Sequence, residues 1–295
     1  MTRTGQSKRK KIGITLLLIL IFIIGLGLIL YPTVSNWWNT LHATRAIETY
    51  AETVAQINSE TYDVMWEEAE AYNRQIGETG VQWTLSDAQY ARYESILDVT
   101  GTGIMGYLEI GQINVRLPVY HGTEESALQA GVGHIAGSSL PVGGESSHCI
   151  LSSHTGLPSA RLFTDLDKLR EGDLFRICTL DETLTYEVDQ IRIVLPHELD
   201  DLKIEQGKDL CTLVTCTPYG VNTHRLLVRG HRIEEGQQPV QVRVTGDALR
   251  IDPLTVAPVL ALILLVMLLV CIFVMSDRKR KMRRKEGKTD EEALP

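Results

Sequence analysis

Hydrophobic positions along the chain fall into three textures. Two long runs carry no charge at all: Ile12 to Leu30, 19 residues, and Val256 to Met275, 20 residues. At the rise of an α-helix each spans about 28–30 Å, close to one hydrocarbon core, so membrane helices are expected at 12–31 and 256–275. Residues 36–77 contain no proline and only Gly77. There the apolar residues recur at helical spacing: Ile47, Ala51 and Val54, then Tyr62, Met65, Ala69, Tyr72 and Ile76. Two helices broken at Asn58-Ser59 are expected, with Ser59 as the N-cap.

From Gly103 onward the pattern shortens into β-type runs with Gly and Pro between them. Strands are expected at Ile104–Ile110, Ile113–Tyr120, His148–Ser153, Leu174–Leu180, Leu184–Leu195, Leu210–Thr217, Arg225–Gly230 and Val240–Val244. Pro118 argues for an edge position or a bulge. A short helical piece is expected around Ala160–Leu169. This density of strands predicts a mainly β fold closed into a barrel. The organisation that follows is a tail at 1–11, a helical stalk and possible lid at 32–102, a barrel at 103–235, a connector at 236–255 and a second tail at 276–295.

Charge fixes the orientation. The net charge of −8 averages over a strongly segregated chain. Residues 1–11 hold five basic and no acidic side chains, and residues 276–295 hold eight basic and five acidic ones. The remainder has 16 basic against 32 acidic residues. Basic clusters flank both apolar runs on their terminal sides, which places both termini in the cytoplasm and the segment between the runs outside. An acidic body argues against nucleic acid as a partner, because phosphate contacts need clustered Lys and Arg. The first run exceeds the core length of a signal peptide, and Tyr31-Pro32-Thr33 is a poor cleavage site, so an uncleaved anchor is expected. Residues 236–255 hold no Leu-Pro-x-Thr-Gly motif, so the second run does not read as a wall-sorting tail.

Four of the five cysteines, Cys149, Cys178, Cys211 and Cys216, fall in the external segment. Cys211 and Cys216 stand five positions apart in a strand-like run, pointing to opposite faces about 17 Å apart, so they cannot bridge. The densest cluster of candidate groups is Thr215-Cys216-Thr217-Pro218-Tyr219-Gly220, followed by Thr223-His224-Arg225. Cys216 ends an apolar strand at a Pro–Gly turn, where substrate can reach a thiol. A thiol attacks as its thiolate, and an ordinary pKa of about 8.5 leaves only a few per cent of it at neutral pH, so a histidine is wanted nearby. His154 ends another apolar run. Arg225, a permanent donor, sits nine residues beyond Cys216, a spacing that suits a hairpin. On these residues alone, Cys216 is a nucleophile or a buried core thiol. His148, Cys149 and His154 do not form a metal signature, since neither HExxH nor paired CxxC occurs.

The run Leu213-Val214-Thr215-Cys216-Thr217-Pro218-Tyr219-Gly220-Val221-Asn222-Thr223-His224-Arg225-Leu226-Leu227-Val228-Arg229-Gly230 closely resembles the Cys–Arg signature of class C sortases, the pilus-assembling transpeptidases of Gram-positive bacteria. Gly106-Tyr107-Leu108-Glu109-Ile110, Leu117-Pro118-Val119-Tyr120-His121-Gly122, Gly131-Val132-Gly133-His134, Gly137-Ser138-Ser139-Leu140-Pro141-Val142-Gly143-Gly144 and the run from Gly156 to Leu166 extend the resemblance over 103–232.

The resemblance implies an eight-stranded sortase-like β-barrel with an N-terminal helical segment, flanked by the two membrane helices. It implies that Cys216 attacks the Thr–Gly carbonyl of a pilin sorting signal of the Leu-Pro-x-Thr-Gly type, forming a thioester. His154 would protonate the leaving amine and deprotonate the incoming one, and Arg225 would hold the oxyanion. The acceptor would be a lysine of a second pilin, and no cofactor is implied. Two departures stand out. The residues around His154 are Ser152-Ser153-His154-Thr155-Gly156, where members often read Ser-Gly-His-Arg-Gly. No proline lies between Pro32 and Pro118, so the family's Asp-Pro-aromatic lid motif is absent. Trp83 is a substitute plug or a packing tryptophan. Two other readings remain: a sortase that attaches proteins to a peptidoglycan cross-bridge, and a non-catalytic tethered adhesin or assembly platform.

Overall fold

The computed structural model describes residues 3–234 and Leu265. The expected strand at Val240–Val244, the connector, the second apolar run and the C-terminal tail lie outside the described residues. The chain divides into two units, and one of them, 35–242, contains the barrel.

Helix α1 runs unbroken over Arg3–Val54, with Pro32 inside it. The expected membrane helix and the start of the stalk are thus one element. Within it, Ile19–Val54 is long and apolar enough to cross a membrane. Its C-terminal part buries Ala43, Ile47, Tyr50 and Val54. That stripe differs from the expected one at a single place. Tyr50 is fully buried and Ala51 faces solvent, because a ring that fills the core and bonds to it outweighs a methyl at the same edge of the stripe. Tyr50 Oη donates to the Met105 carbonyl at 3.1 Å and accepts from Leu180 N–H at 2.7 Å.

Helix α2, Ser59–Thr79, follows the expected stripe, with Ala69, Tyr72 and Ile76 buried. Its N-cap is Asn58, whose side chain accepts from Thr61 N–H at 2.7 Å, and Ser59 is the first helical residue. Both residue types cap well, and the amide oxygen one position earlier reaches the third N–H. Asn73 on α2 is buried and bonds to Leu140 and Gly143, which fixes the helix to the barrel. A third helix, α3 at Asp87–Ser95, begins with a capping box between Ser86 and Gln89.

The strands are β1 (Ile104–Ile110), β2 (Val115–His121), β3 (Val132–His134), β4 (Ser147–Ser152), β5 (Leu174–Thr179), β6 (Glu182–Val194), β7 (Asp209–Thr217) and β8 (His224–Ile233), with a short helix α4 at Glu125–Ala130 before β3. They close into a barrel in the order β1-β2-β3-β4-β7-β8-β6-β5. Among the described residues the barrel therefore reaches eight strands through β3, three residues long. The expected helix at Ala160–Leu169 is reduced to a 3₁₀ turn at Leu166–Lys168. Pro158 and Gly156 precede that stretch, and Phe163 N–H bonds back to the His154 carbonyl, so the chain wraps as a loop.

Pro118 pairs with Tyr107 of β1, while the β2–β3 ladder begins one residue later at Val119↔Val132. The missing N–H thus falls where β2 has only one strand neighbour. The pairs β2–β3 and β4–β7 are parallel, and the remaining pairs are antiparallel. The parallel β4–β7 pair brings the ends of two strands distant in sequence to the same rim.

Candidate active site

Alternation along the strands separates two faces. Cys149 and Leu151 of β4, Cys211 and Leu213 of β7, and Leu226 and Val228 of β8 belong to the main core inside the barrel. The intervening Ile150, Val214 and Leu227 form a second apolar cluster with Leu202 on the opposite face. Val81, Ile135, Val194 and Leu199 pack against it. Successive side chains in a strand point to opposite faces. Cys216, two residues past Val214, and Arg225, two before Leu227, therefore share the face of this outer cluster.

His154 reaches the same place from β4. The β4–β7 register runs to Ser152↔Val214. Beyond it, Ser153 N–H donates to the Val214 carbonyl at 3.1 Å and Thr215 Oγ1 donates to the Ser153 carbonyl at 2.8 Å. Continuing that register by one step sets His154 beside Cys216. On the other flank, Cys216 pairs directly with Arg225 across β7–β8. The three candidate residues thus occupy three adjacent strand ends, β4, β7 and β8, with the cysteine in the middle.

Local contacts hold each of them. The loop after His154 is fastened by Phe163 N–H to the His154 carbonyl at 3.0 Å and by Gly156 N–H to Thr164 Oγ1 at 3.1 Å. Helix α1 grips the same loop through Asn39 Nδ2 to the Ser159 carbonyl and Asn36 Oδ1 to Arg161 N–H. Arg225 Nη1 donates to the carbonyls of His224 at 3.1 Å and Asn222 at 3.3 Å, which folds the guanidinium over the β7–β8 turn. Gly156 has φ +75°, and a Cβ there would stand 3.0 Å from the ring of Tyr219, so glycine lets this exposed ring lie against the histidine loop.

Cys216 is half-buried, whereas Cys149, Cys178 and Cys211 are buried, and all four are free thiols. Among the described residues Cys216 is thus the most accessible of the four, as a nucleophile would need to be. Cys149 and Cys211 sit in register on β4 and β7 inside the barrel, where burial pushes the Cys211 thiol well up and keeps it protonated. His154 and Arg225 are half-buried, open to solvent on one side. His154 Nε2 stands 3.5 Å from Glu125 Oε2. No sequence spacing connects residues 125 and 154, and that contact was invisible without the fold.

Trp83 is 44 % exposed. Its neighbour Gln82 donates its N–H to the Gly137 carbonyl at 2.9 Å, and Val81 packs against the outer cluster. The segment between α2 and α3 thus lies on the face that carries the catalytic candidates, with a valine turned into it. Tyr93 pins the far side of α3: it is fully buried, its hydroxyl bonds to His134 Nδ1 at 2.9 Å, and it accepts from Gly122 N–H.

Residues 108–233 match the sortase domain. Sortase D of Bacillus subtilis is 30 % identical over 131 residues, which cover 43 % of this chain and 63 % of that protein. A crystal structure of sortase C1 from Streptococcus agalactiae superposes with a TM-score of 0.64 at 53 % identity, covering 64 % of this chain and 98 % of that one. Sortase C of Clostridium perfringens, solved with a C-terminal cell wall sorting motif, is 43 % identical with a TM-score of 0.58, covering 65 % of this chain and all of that one (100 %). A barrel that matches the sortase domain from within β1 to the end of β8, with a reachable thiol between the strand ends of a histidine and an arginine, and with class C sortases among its structural relatives, places the chain in the sortase family of cysteine transpeptidases.

Proposed function

We propose that the protein is a membrane-anchored, class C-type sortase that cleaves a pilin sorting signal between Thr and Gly and joins the pilin to a lysine of a second pilin. The observation that carries this reading is the placement of Cys216 between Arg225, its direct ladder partner, and the strand end that bears His154. A solved relative holding a cell wall sorting motif supports the substrate class.

On this reading the Cys216 thiolate attacks the carbonyl carbon of the Thr–Gly bond. The resulting oxyanion accepts hydrogen bonds from the Arg225 guanidinium, whose charge is permanent. The imidazolium of His154 gives its proton to the Gly nitrogen, the C–N bond breaks, and a thioester remains on Cys216. A lysine amine then loses a proton to His154 and attacks the thioester carbonyl. Collapse expels the Cys216 thiolate and leaves an isopeptide bond. The apolar cluster of Ile150, Val214, Leu227 and Leu202 lies along the same face and suits the Leu-Pro part of the signal. The N-terminal apolar helix holds the barrel outside the membrane, the run 256–275 crosses it again, and both termini are cytoplasmic.

The test is incubation of the detergent-solubilised full chain with a purified pilin that carries its sorting signal, followed by mass spectrometry of the product linkage. A Thr–lysine isopeptide and an SDS-resistant ladder are expected, with both lost in Cys216→Ala. A single species linked to a peptidoglycan cross-bridge amine would assign wall anchoring instead. Products unchanged in Cys216→Ala would remove the cysteine mechanism altogether.

A further inference from the structure

Glu125 opens helix α4, which is fastened at both ends to other parts of the molecule. Before it, Glu124 Oε1 accepts from Tyr90 Oη of α3 at 2.8 Å. After it, the Gly131 carbonyl accepts from Ser153 Oγ at 2.6 Å, and Ser153 is the residue immediately before His154. The position of α4 relative to the histidine is thereby set by direct bonds on the histidine's own strand. Within the helix, Gln129 Nε2 donates to Glu125 Oε1 at 2.7 Å. This holds one oxygen of the carboxylate and turns the other, Oε2, to within 3.5 Å of His154 Nε2.

That distance is one of charge contact and not of a hydrogen bond, and His154 Nε2 has no hydrogen-bond partner. A neutral imidazole gains little from such a neighbour. An imidazolium gains Coulomb energy and a carboxylate to close upon. The side chain of His154 is 28 % exposed and that of Glu125 is 67 % exposed. Solvent therefore screens the pair, and its worth lies in the range of exposed ion pairs. The carboxylate that faces the imidazole is that of Glu125 from α4, while Cys216 and Arg225 stand at the adjoining strand ends of β7 and β8.

We propose that Glu125, oriented by Gln129, is a positioning residue that closes on His154 Nε2 when the ring carries a proton and so holds the imidazole in place beside the strand end of Cys216. This rests on the transpeptidase reading for its role in turnover, but its effect on the thiol needs no substrate. The proton involved moves from Cys216 Sγ to the His154 ring in the resting enzyme, and from that ring to the Gly nitrogen during acylation. Glu125 holds no proton at any step.

The experiment measures two rates on the full chain. One is alkylation of Cys216 by iodoacetamide, followed at the peptide level so that other thiols do not contribute. The other is thioester formation with a Leu-Pro-x-Thr-Gly peptide, resolved into kcat and KM. In Glu125→Gln, alkylation and kcat are both expected to fall about three- to fivefold, with KM unchanged. Glu125→Asp retains the charge and is expected to lose less. In a His154→Ala background, adding Glu125→Gln is expected to change neither rate, because residues that act through one another are not additive. Wild-type alkylation in Glu125→Gln, or an equal loss with His154 already removed, would overturn the proposal. Alkylation that responds as expected in a chain that never acylates would keep Glu125 in this role and remove the sorting-signal reading instead.

Discussion

Cys216 lies directly opposite Arg225 in the β7–β8 ladder, whose register runs without a shift from Leu210↔His231 to Thr217↔His224. The guanidinium is therefore on the thiol's side of the sheet by construction, and no loop movement is required to bring it there. A one-residue slip would turn both side chains to the opposite face, so the arginine's place is secured by the whole ladder.

Arg225→Ala and Arg225→Lys are both expected to fold, since Arg225 is half-buried at a strand end. Loss of one oxyanion donor costs about 10²–10³ in rate, and single-turnover thioester formation should fall by that order in Arg225→Ala. Lysine keeps the charge without the planar fork. Arg225→Lys should therefore recover only a small part of the loss.

Val81 and Trp83 make opposite predictions about closure of the site. Val81 packs on the outer apolar cluster, while Trp83 is 44 % exposed. If the segment between α2 and α3 covers the sorting-signal groove through its valine, Val81→Gly lowers KM for a free signal peptide several-fold and Trp83→Ala leaves it unchanged. The reverse pattern would make the tryptophan the plug.

Tyr50 fastens α1 to the barrel through two backbone groups, the Met105 carbonyl and Leu180 N–H. Tyr50→Phe removes both bonds and leaves buried polar atoms unpaired. The expected loss is about 1–3 kcal/mol, read as a lower midpoint in thermal or urea denaturation with the barrel strands still present by circular dichroism.

His148 supplies a pH dependence of stability. It is fully buried, with Nδ1 against the Lys203 carbonyl at 2.8 Å and Nε2 against Thr212 Oγ1 at 2.7 Å. Burial lowers its pKa below the usual 6.5; the Lys203 carbonyl, Glu205 and Asp189 pull the other way, and Arg229 adds to the lowering. The unfolded chain thus takes up a proton before the folded one does. The stability that His148 contributes is present above about pH 6.5 and is lost as pH falls through the folded value. Melting temperature should decline from pH 7.5 to 5, and His148→Gln should flatten that slope.

Periodicity was a reliable guide where packing and pattern agreed. The α2 stripe and the central strands follow it because each places one apolar face on one core. It failed where a single contact decided the outcome. Tyr50 displaced Ala51 from the buried stripe because its ring and hydroxyl both find partners. Strand β3 was missed because Val132-Gly133-His134 is too short to show alternation, and it is a strand only by its neighbours β2 and β4. Helix α3 had a legible start in Ser86-Asp87-Ala88-Gln89, but nine residues give too few turns for a stripe. At the site, residue type and strand position alone were enough to single out Cys216, His154 and Arg225 as candidates, and the barrel brings their strand ends together. The Glu125 contact was not, because it joins elements separated by a loop, a strand and a hairpin's worth of chain.

The parallel pairing of β4 with β7 has a consequence for the life of the chain before it is folded. Thr215 and Ser153, which close that ladder beside the site, are 62 positions apart in sequence. No local piece of the protein holds Cys216 and His154 together. An unfolded chain therefore keeps Cys216 and His154 apart, and the two strand ends meet only when the barrel is zipped shut. The same topology that sets the geometry also delays the assembly of the site until the barrel around it is finished.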